Sequence, residues 1–373
     1  MHELTPDRYG QIRALFQAPA DQPFCTAVLA GLHPGRVFVD EASRPRTALV
    51  TRDDPWCFLA GDPDRDAFNR ALNRAIWDRG GVVPDTSMLL FTCHPPDWRG
   101  NLATVFAPRP PIEACRRRYV CREMRYNWRS ELPAGLTLQP MDGSLLRRPD
   151  LCTPDEVVQT IRRWRSLATS EPRDFGFVAI QERSGGTAEV VSWATVDAVV
   201  EGVGDAGLFT QERYRRRGLA TLTSAAALEY GLAQGLAEIN WTCAEDNTGS
   251  IRTAEKLGLE RLPDYPLYYF VFDEAQHLAH LAYQLLESGR YGEAIERIEQ
   301  ALALTDDPPY WLYHDAARAW AALSEPVRAL EALNQAIDCG WSDVDGTRAC
   351  QEFEPLHQAP GWAAVLRRMK PTG

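Results

Sequence analysis

Lysine is nearly absent from this chain, and the long apolar runs of membrane-spanning proteins are missing. Only Lys256 and Lys370 are lysines among the 40 basic residues of the 373-residue chain, and the rest are arginines. Because the arginines follow no single face or patch, we attribute this bias to genome composition. No apolar run approaches the roughly 18 residues that a transmembrane helix requires. Residues 1–16 are charged throughout and lack the apolar region of a signal peptide. We therefore expect no membrane partner.

The cysteines lack the spacing of a metal site or a disulfide framework. Nine of them are scattered along the chain without a Cys-x-x-Cys pair. An odd number of cysteines without metal-ligand spacing is typical of reduced thiols in a cytoplasmic protein. Cys93, His94 and Cys115 come nearest to a ligand group, but buried or incidental thiols explain them better. We expect a cytoplasmic protein without a metal site.

An excess of positive charge is also missing. Lysines and arginines number 40 against 51 acidic residues, which gives a formal net charge of −11. Such a surface repels phosphate backbones and argues against general nucleic-acid binding, but it leaves room for one local basic site that holds an anion. Apolar residues make up 45% of the chain, a proportion with which a soluble globular protein buries a sizeable core. The length corresponds to two or three domains of about 150 residues.

Residues 1–113 have the pattern of an α/β lobe. The spacing of apolar residues predicts an amphipathic helix over Asp66–Asp78. Short apolar or alternating runs bounded by Gly, Pro and Asp predict strands at Arg36–Asp40, Thr47–Thr51, Trp56–Ala60 and Met88–Thr92. The proline-rich stretch 108–111 marks a boundary. We interpret 114–133 as a linker, with Arg116, Arg117 and Arg118 on a solvated face.

Residues 134–273 alternate between strand and helix signals, which indicates an α/β layer structure. The predicted strands are Leu136–Gln139, Phe177–Gln181, Val190–Val196, Val203–Thr210, Glu238–Cys243 and Leu267–Phe272. The predicted helices are Glu156–Leu167, 218–234 and Ser250–Leu257. Ser184, Gly185 and Gly186 form a predicted turn, and Gly235 stands where a left-handed helix cap belongs.

Residues 274–373 are helical by pattern and contain an internal repeat. The segment Glu293–Ala301 aligns with Arg328–Ala336 at an offset of 35 residues. A helix–turn–helix unit of this period, with alanine where helices cross, resembles the tetratricopeptide repeat. Two repeats are fewer than a free-standing solenoid usually needs. We therefore expect this region to pack on the neighbouring domain, on a second copy or on a protein partner, and truncation after Asp273 to cost solubility or oligomeric state.

The strongest chemical signal is an arginine-rich turn between a strand and a helix. The strand ending at Thr210 is followed by Arg215-Arg216-Arg217-Gly218-Leu219-Ala220, where a helix begins. Amide groups at a helix N-terminus are unpaired and the helix dipole adds partial positive charge, so the turn suits a pyrophosphate. A solvated basic turn is the alternative. A second helix start, Asn247-Thr248-Gly249-Ser250, follows the next predicted strand, so both helix starts are expected at one cleft.

This arrangement resembles the GNAT superfamily of acyl-CoA-dependent N-acetyltransferases over residues 134–273. The family's Arg/Gln-x-x-Gly-x-Gly/Ala loop matches Arg215, Gly218 and Ala220. Its later Asn-x-x-Ser motif, with a Lys-Leu-Gly-Phe-like ending, matches Asn247, Ser250 and residues 256–259. The resemblance implies a mixed, largely antiparallel sheet with flanking helices, in which strands 203–210 and 238–243 splay apart.

The resemblance also implies where acetyl-CoA, the acyl donor, binds. The pantetheine arm would lie in the splay, bonded to main chain at 208–210 and in contact with Asn247, and the pyrophosphate would lie on the arginine-rich turn. The implied donor-binding residues are Leu208, Phe209, Thr210, Arg215, Arg216, Arg217, Gly218, Leu219, Ala220, Asn247 and Ser250. A main-chain amide near Phe209 is a candidate for polarising the thioester carbonyl.

Catalysis by direct attack of an amine needs a group that takes a proton from the ammonium. Asp205 and Glu201 are the candidates, and an exposed carboxylate without a role is the alternative for each. Many family members have a tyrosine that protonates the leaving thiolate at the position of Ala254. In this chain another group, or water, supplies that proton, or none is needed. Tyr265, Tyr268 and Tyr269 follow in sequence, and a structural role fits them better.

The resulting interpretation is an N-acetyltransferase that transfers an acetyl group from acetyl-CoA to a primary amine. The acceptor is a small molecule or a peptide amine. The alternative is an inert scaffold of the same fold that acts in protein interaction through 274–373. The N-terminal lobe has a strand–turn–helix pattern around residues 61–65, which is compatible with a decayed copy of the GNAT fold. Its turn is acidic and Pro63 removes an amide donor, so we expect it to hold no pyrophosphate and interpret the lobe as structural or substrate-shaping.

Overall fold

The computed structural model describes residues 1–16, 23–79, 81–167, 173–183 and 185–369. Ser184, part of a predicted turn, lies outside the described residues. The chain divides into two compact units: the first comprises Met1–Thr86 and Leu90–Tyr268, and the second comprises Ser87–Leu89 and Tyr269–Gly373. Within the described ranges no helix is long and apolar enough to cross a membrane.

The strands belong to one mixed sheet. In chain order they are β1 (His2–Leu4), β2 (Arg36–Val39), β3 (Thr47–Thr51), β4 (Trp56–Gly61), β5 (Met88–His94), β6 (Ile112–Cys121), β7 (Leu136–Pro140), β8 (Leu151–Cys152), β9 (Phe175–Glu182), β10 (Ala188–Val200), β11 (Val203–Thr210), β12 (Glu238–Ala244) and β13 (Glu260–Val271). Across the sheet they are ordered β1-β2-β3-β4-β5-β13-β6-β12-β11-β10-β9-β7, with β8 beside β10.

Twelve α-helices occur among the described residues. They are α1 (Pro23–Leu29), α2 (Asp66–Asp78), α3 (Leu102–Val105), α4 (Asp155–Ser166), α5 (Leu219–Ala233), α6 (Thr248–Lys256), α7 (Glu274–Glu287), α8 (Tyr291–Leu302), α9 (Tyr310–Ala322), α10 (Pro326–Asp338), α11 (Val344–Ala349) and α12 (Trp362–Arg368). Segments of 3₁₀ helix lie at Pro6–Phe16, Pro96–Gly100, Trp128–Glu131, Leu145–Arg147, Glu212–Tyr214 and Gln351–Gln358.

The same order of pairing occurs in both parts of the sheet. Strands β2, β3 and β4 pair antiparallel, α2 follows, and β5 then pairs parallel to β4. Strands β9, β10 and β11 pair antiparallel, α5 follows, and β12 then pairs parallel to β11. The predicted mixed, largely antiparallel sheet with flanking helices is confirmed.

Helix α5 packs on one face of the sheet through a cluster of buried apolar residues. Apolar residues of α5 such as Ala225 and Leu228 are buried against Val196 of β10 and Trp241 of β12. Ala206 and Leu208 of β11 pack on the same cluster. Because side chains alternate along a strand, Asp205 and Gly207 lie on the opposite face of the sheet.

The interpretation of 114–133 as a linker is wrong for residues 114–121. These residues belong to β6, which lies between β13 and β12 and pairs antiparallel with β12 from Ala244↔Arg116 to Ile239↔Cys121. Arg118, assigned to a solvated face, is 6% exposed. The predicted strand Leu267–Phe272 corresponds to the end of β13, which begins earlier, at Glu260.

The second unit carries an all-helical region, α7–α12, with its own core. Positions related by the 35-residue offset are buried alike: Ala282 and Ala317 on α7 and α9, and Ala294 and Ala329 on α8 and α10. Small residues at equivalent positions let successive helices approach closely, which explains the repeated alanines in the sequence.

Candidate active site

The two central strands β11 and β12 are paired over only half of their length. Their parallel register runs from Val203↔Glu238 to Ala206↔Trp241 and then stops. On its other edge β11 stays paired with β10 as far as Thr210. The strands 203–210 and 238–244 therefore separate after Ala206, and main chain from Gly207 to Thr210 has no partner strand on the side of β12. This separation is the splay expected between them.

A cavity of about 840 Å³ opens at the point where the strands separate. Its walls come from the ends of β11 and β12, from the turn before α5 and from the start of α6. The lining residues are Arg116, Ala206, Gly207, Leu208, Phe209, Thr210, Tyr214, Arg215, Arg216, Gly218, Leu219, Ala220, Thr221, Thr242, Cys243, Ala244, Asn247, Gly249, Ser250, Arg252 and Thr253.

The turn into α5 has the geometry of an anion cradle. Gly218 occupies the N-cap position with φ +76°, and no side chain caps the helix there. A Cβ added to Gly218 would meet no atom within 4 Å, so the space above the helix start is open. Arg216 also has a positive φ, of 61°. The unpaired amides of the first helical turn and the adjacent guanidinium groups thus face an open cavity wall.

The start of α6 forms the neighbouring wall, but its motif side chains are engaged within the protein. The Asn247 Oδ1 accepts a hydrogen bond from the Ser250 amide at 3.0 Å and caps the helix. The Ser250 Oγ accepts a hydrogen bond from the Trp241 Nε1 at 3.0 Å in the core. Both residues line the cavity, and these bonds show that the motif also builds the local structure.

Two of the three arginines in the turn line the cavity, and Arg217 is not among the lining residues. The Arg217 guanidinium lies 5.3 Å from the centre of the Tyr214 ring. The Arg215 guanidinium lies 5.9 Å from the Phe209 ring, which is 44% exposed and packs on Trp193. The basic turn is thus held by aromatic contacts.

Asp205 lies two residues before the open edge of β11. It is opposite Asp197 of β10 and Asn240 of β12 on the face away from α5. The pKa of Asp205 is raised to about 7, chiefly by burial and also by the Asp197 carboxylate, while Arg116 and Arg52 oppose the shift. Asp205 is therefore a carboxylate that exchanges a proton near neutral pH, as a general base does.

Glu201, the other candidate base, is not brought to the cavity. It lies in the hairpin between β10 and β11 with φ 52°, and its exposed carboxylate pairs with Arg13. Gly207 lies six positions further along the chain, which corresponds to about 20 Å between the two Cα atoms in extended backbone. Ala254, at the family's tyrosine position, belongs to α6 and is fully buried.

Residues that the sequence interpretation missed surround Asp205 and the cavity. The Arg116 NH2 donates to the Thr242 Oγ1 at 3.0 Å, and the Arg116 guanidinium lies 5.8 Å from the Trp56 ring. Tyr265 is within hydrogen-bonding reach of Arg116 and Thr242, and burial raises its pKa. The only sequence signal for Arg116 was a run of three arginines, which is as typical of an exposed segment. No group of three or more His, Cys, Asp or Glu that suits a metal ion occurs in the described part of the chain.

Comparison with known proteins gives a consistent family. A profile of the family described as GNAT acetyltransferase matches residues 13–268. An uncharacterized N-acetyltransferase of Bacillus subtilis (strain 168), YdfB, is 23% identical over 270 residues, which cover 72% of this chain and 98% of that protein.

Solved structures of similar proteins cover a comparable share of the chain. A GCN5-related N-acetyltransferase-like protein from Streptococcus suis is 21% identical with a TM-score of 0.49, covering 70% of this chain and 98% of that one. A tandem GNAT protein from the clavulanic acid biosynthesis pathway is 16% identical with a TM-score of 0.47, covering 72% of this chain and 97% of that one.

The family profile extends well beyond the motif-bearing part that the sequence interpretation assigned. The motifs lie within 134–273, whereas the matched region begins at residue 13 and includes most of the N-terminal lobe. Because this match spans more than half of the chain, the protein belongs to the GNAT acetyltransferase family.

Proposed function

We propose that the protein transfers an acetyl group from acetyl-CoA to a primary amine by direct attack of the amine on the thioester. The observation that carries this proposal is the cavity where β11 and β12 separate, which meets the open start of α5 at Gly218. The family supports acetyl transfer in general, and the choice of donor and acceptor is our inference.

The cavity has features suited to each part of the donor. The uncapped start of α5, with Arg215 and Arg216 beside it, supplies amides and positive charge for the pyrophosphate. The unpaired edge of β11 at 207–210 offers main-chain groups to the amide-rich pantetheine arm. An amide of this edge, near Phe209, also polarises the thioester carbonyl as charge develops on its oxygen.

Most of the rate enhancement comes from positioning, because the acyl group is already activated as a thioester. The amine must lose a proton to react, and we assign this step to Asp205, directly or through water. With a pKa near 7, Asp205 is substantially ionised at neutral pH and is still basic enough to accept the proton. We leave protonation of the thiolate to solvent or to Tyr265, since Ala254 carries no acidic group.

We propose that the N-terminal lobe is a copy of the same fold that no longer binds a donor. Its helix α2 begins with no side-chain cap, as α5 does, but the first turn carries Asp66, and Asp62 and Asp64 precede it. Negative charge at this helix start repels phosphate. The lobe instead supplies Arg52 and Trp56 to the surroundings of Asp205 and Arg116.

We further propose that helices α7–α10 form two tetratricopeptide-like repeats that bind a protein partner or a second copy, without a part in catalysis. The equivalent burial of Ala294 and Ala329, and of Ala301 and Ala336, supports this proposal.

Acetyl-CoA binding tests the proposed function most directly. A ligand at 100 times its dissociation constant stabilises the protein by about 2.7 kcal/mol, which raises the melting temperature by several degrees. Gly218→Asp places a carboxylate against the phosphates and should abolish the shift. Gly258→Asp is the matched control. Gly258 also has a positive φ, of +74°, and open space around its Cα, but it follows the C-terminal end of α6, whereas Gly218 precedes α5. Free thiol released from acetyl-CoA in the presence of primary amines then measures transfer.

Each outcome decides the proposal. A shift in wild type and Gly258→Asp but not in Gly218→Asp, with amine-dependent thiol release, supports an enzyme. A shift without thiol release for any amine indicates the inert scaffold. No shift at millimolar acetyl-CoA contradicts donor binding altogether.

A further inference from the structure

Two opposite charges beside the cavity are left without an ion partner in the described residues. Asp205 forms no ion pair there, and its pKa is governed by burial and by the charges of Asp197, Arg116 and Arg52. The Nε of Arg116 is buried and has no hydrogen-bond partner. Arg116 also lines the cavity, and a guanidinium that lines a cavity without an acidic partner can bind an anionic group of a ligand.

Two neighbouring charged residues, Asp197 and Arg52, are paired within the protein. Asp197 accepts hydrogen bonds from the Trp164 Nε1 at 2.7 Å and from Arg163 at 3.0 Å. Arg52 pairs with Asp54 at 2.6 Å. Asp205 and Arg116, by contrast, have no ion-pair partner in the described residues.

Both unpaired groups face the same side of the sheet. Arg116 is opposite Ala244 in the pairing of β6 with β12, and Asp205 is opposite Asn240 in the pairing of β12 with β11. Residues two apart on one strand share a face, so Arg116 and Asp205 flank the same stretch of β12. The hydrogen bond from Arg116 to Thr242 brings the guanidinium to the first residue after the strands separate.

The donor does not supply an anion at this place. The phosphates of acetyl-CoA are assigned to the start of α5, and the pantetheine arm and its thioester carry no negative charge. The anion that Arg116 lacks must then come from the acceptor, whose amine is required close to the thioester and to Asp205.

We propose that the acceptor is an amine that also carries a carboxylate, of which a free amino acid is the simplest form. This inference rests on the proposed function. The ammonium group lies on Asp205, which removes its proton, and the carboxylate lies on Arg116. A guanidinium binds a carboxylate through two parallel hydrogen bonds, and Arg116 brings such a group to the cavity wall. The amine nitrogen forms the new bond to the acetyl carbon, and the CoA thiolate leaves.

Matched acceptor pairs test the proposal. Each pair is an amino acid and the amine that remains when its carboxylate is removed, such as phenylalanine with phenethylamine and ornithine with putrescine. We expect kcat/KM to favour the amino acid at least tenfold. Arg116→Gln should remove this preference by raising KM for the amino acid much more than for the matched amine. The two are compared at a pH well above the pKa of Asp205, where loss of the Arg116 charge does not limit ionisation of the base. Acetyl-CoA binding, followed by thermal shift, should be retained.

Two further variants separate binding from folding. Arg117→Gln is the control, because Arg117 is on the opposite face of β6 and pairs with Asp264 at 3.0 Å. It should keep the preference for amino acids. Arg116→Lys keeps the charge but loses the forked geometry, and should keep part of the preference.

The outcomes distinguish this inference from the proposed function. Equal rates with both members of each pair, or an equal loss for both in Arg116→Gln, overturn the carboxylate assignment while leaving amine acetylation intact. Absence of acetyl-CoA binding, or of thiol release with every amine, overturns the proposed function itself.

Discussion

Asp197 and Asp205 are paired directly across strands β10 and β11, so two carboxylates meet on the face of the sheet beside the cavity. Like charges opposite each other disfavour ionisation of both. Burial raises the pKa of both residues, and Arg163 partly offsets this at Asp197. Burial, together with the like charge of Asp197, makes Asp205 a carboxyl group that titrates near neutral pH, unlike an isolated aspartate.

Transfer should depend on pH through Asp205. Because only the carboxylate accepts a proton, kcat/KM should rise as the pH increases through about 7 and then level off. Asp205→Asn should lower turnover by roughly 10² or more and remove this rise. Acetyl-CoA binding should be unchanged, as shown by thermal shift. Unaltered turnover in the variant between pH 6 and 9 would assign proton removal to water or to the substrate.

Stability should depend on pH in the opposite direction. The folded-state pKa of Asp205 is raised above the ordinary value of 3.8, so the native state retains a proton that the unfolded chain has lost. Its contribution to the free energy of unfolding is therefore full below pH 4 and is lost as the pH rises to about 7. Urea unfolding should show a shallower decline in Asp205→Asn than in wild type over this range. Parallel curves would contradict the raised pKa.

Asp197 should tune Asp205 without touching the substrate. Asp197→Asn removes the like charge, so the rise of kcat/KM should move to lower pH. The charges that remain around Asp205 are Arg116 and Arg52, which both favour ionisation, with Tyr265 nearby. The amide keeps an oxygen for the Trp164 and Arg163 hydrogen bonds. A fall in activity at every pH, with no displacement of the profile, would mean that Asp197 has only a structural role.

The hydrogen bond between Ser250 and Trp241 should stabilise the start of α6. Ser250→Ala leaves the buried Trp241 Nε1 without its acceptor, at a cost of about 1–3 kcal/mol in the free energy of unfolding. In a Trp241→Phe background the same substitution should cost far less, because no donor remains. A denaturant-unfolding cycle of the four proteins measures the difference. An equal cost in both backgrounds would exclude this hydrogen bond as the cause.

Removal of the helices after Asp273 should leave acetyl-CoA binding intact. Every residue that lines the cavity lies between Arg116 and Thr253, and β13 ends at Val271. The truncated protein should show the same thermal shift with acetyl-CoA, while sedimentation measures any change in oligomeric state. Loss of binding from a truncated protein that is folded by circular dichroism would show that the helical region helps to build the site.

The local features of the site were predictable because they depend on residues close together in the chain. Gly218 is required where the backbone adopts a left-handed conformation before α5. Asn247 and Ser250 are three residues apart, the spacing at which a side chain caps a helix. The boundaries of α2 and β11 follow from apolar periodicity and agree with the structure residue by residue.

Tertiary structure decided which distant residues meet at the site. Strand β6 lies between β13 and β12 in the sheet. Its residues do not alternate between buried and exposed, because it is covered over part of both faces. Its arginine run therefore resembled a linker. Asp205 and Glu201 were equivalent candidates in sequence, and the register of β10 with β11 separated them by placing Glu201 in the hairpin. The sequence by itself determined the arginine-rich turn and the helix that follows it. Strand register depends on pairing between remote segments, and it brought Arg116 to the same side of the sheet as Asp205.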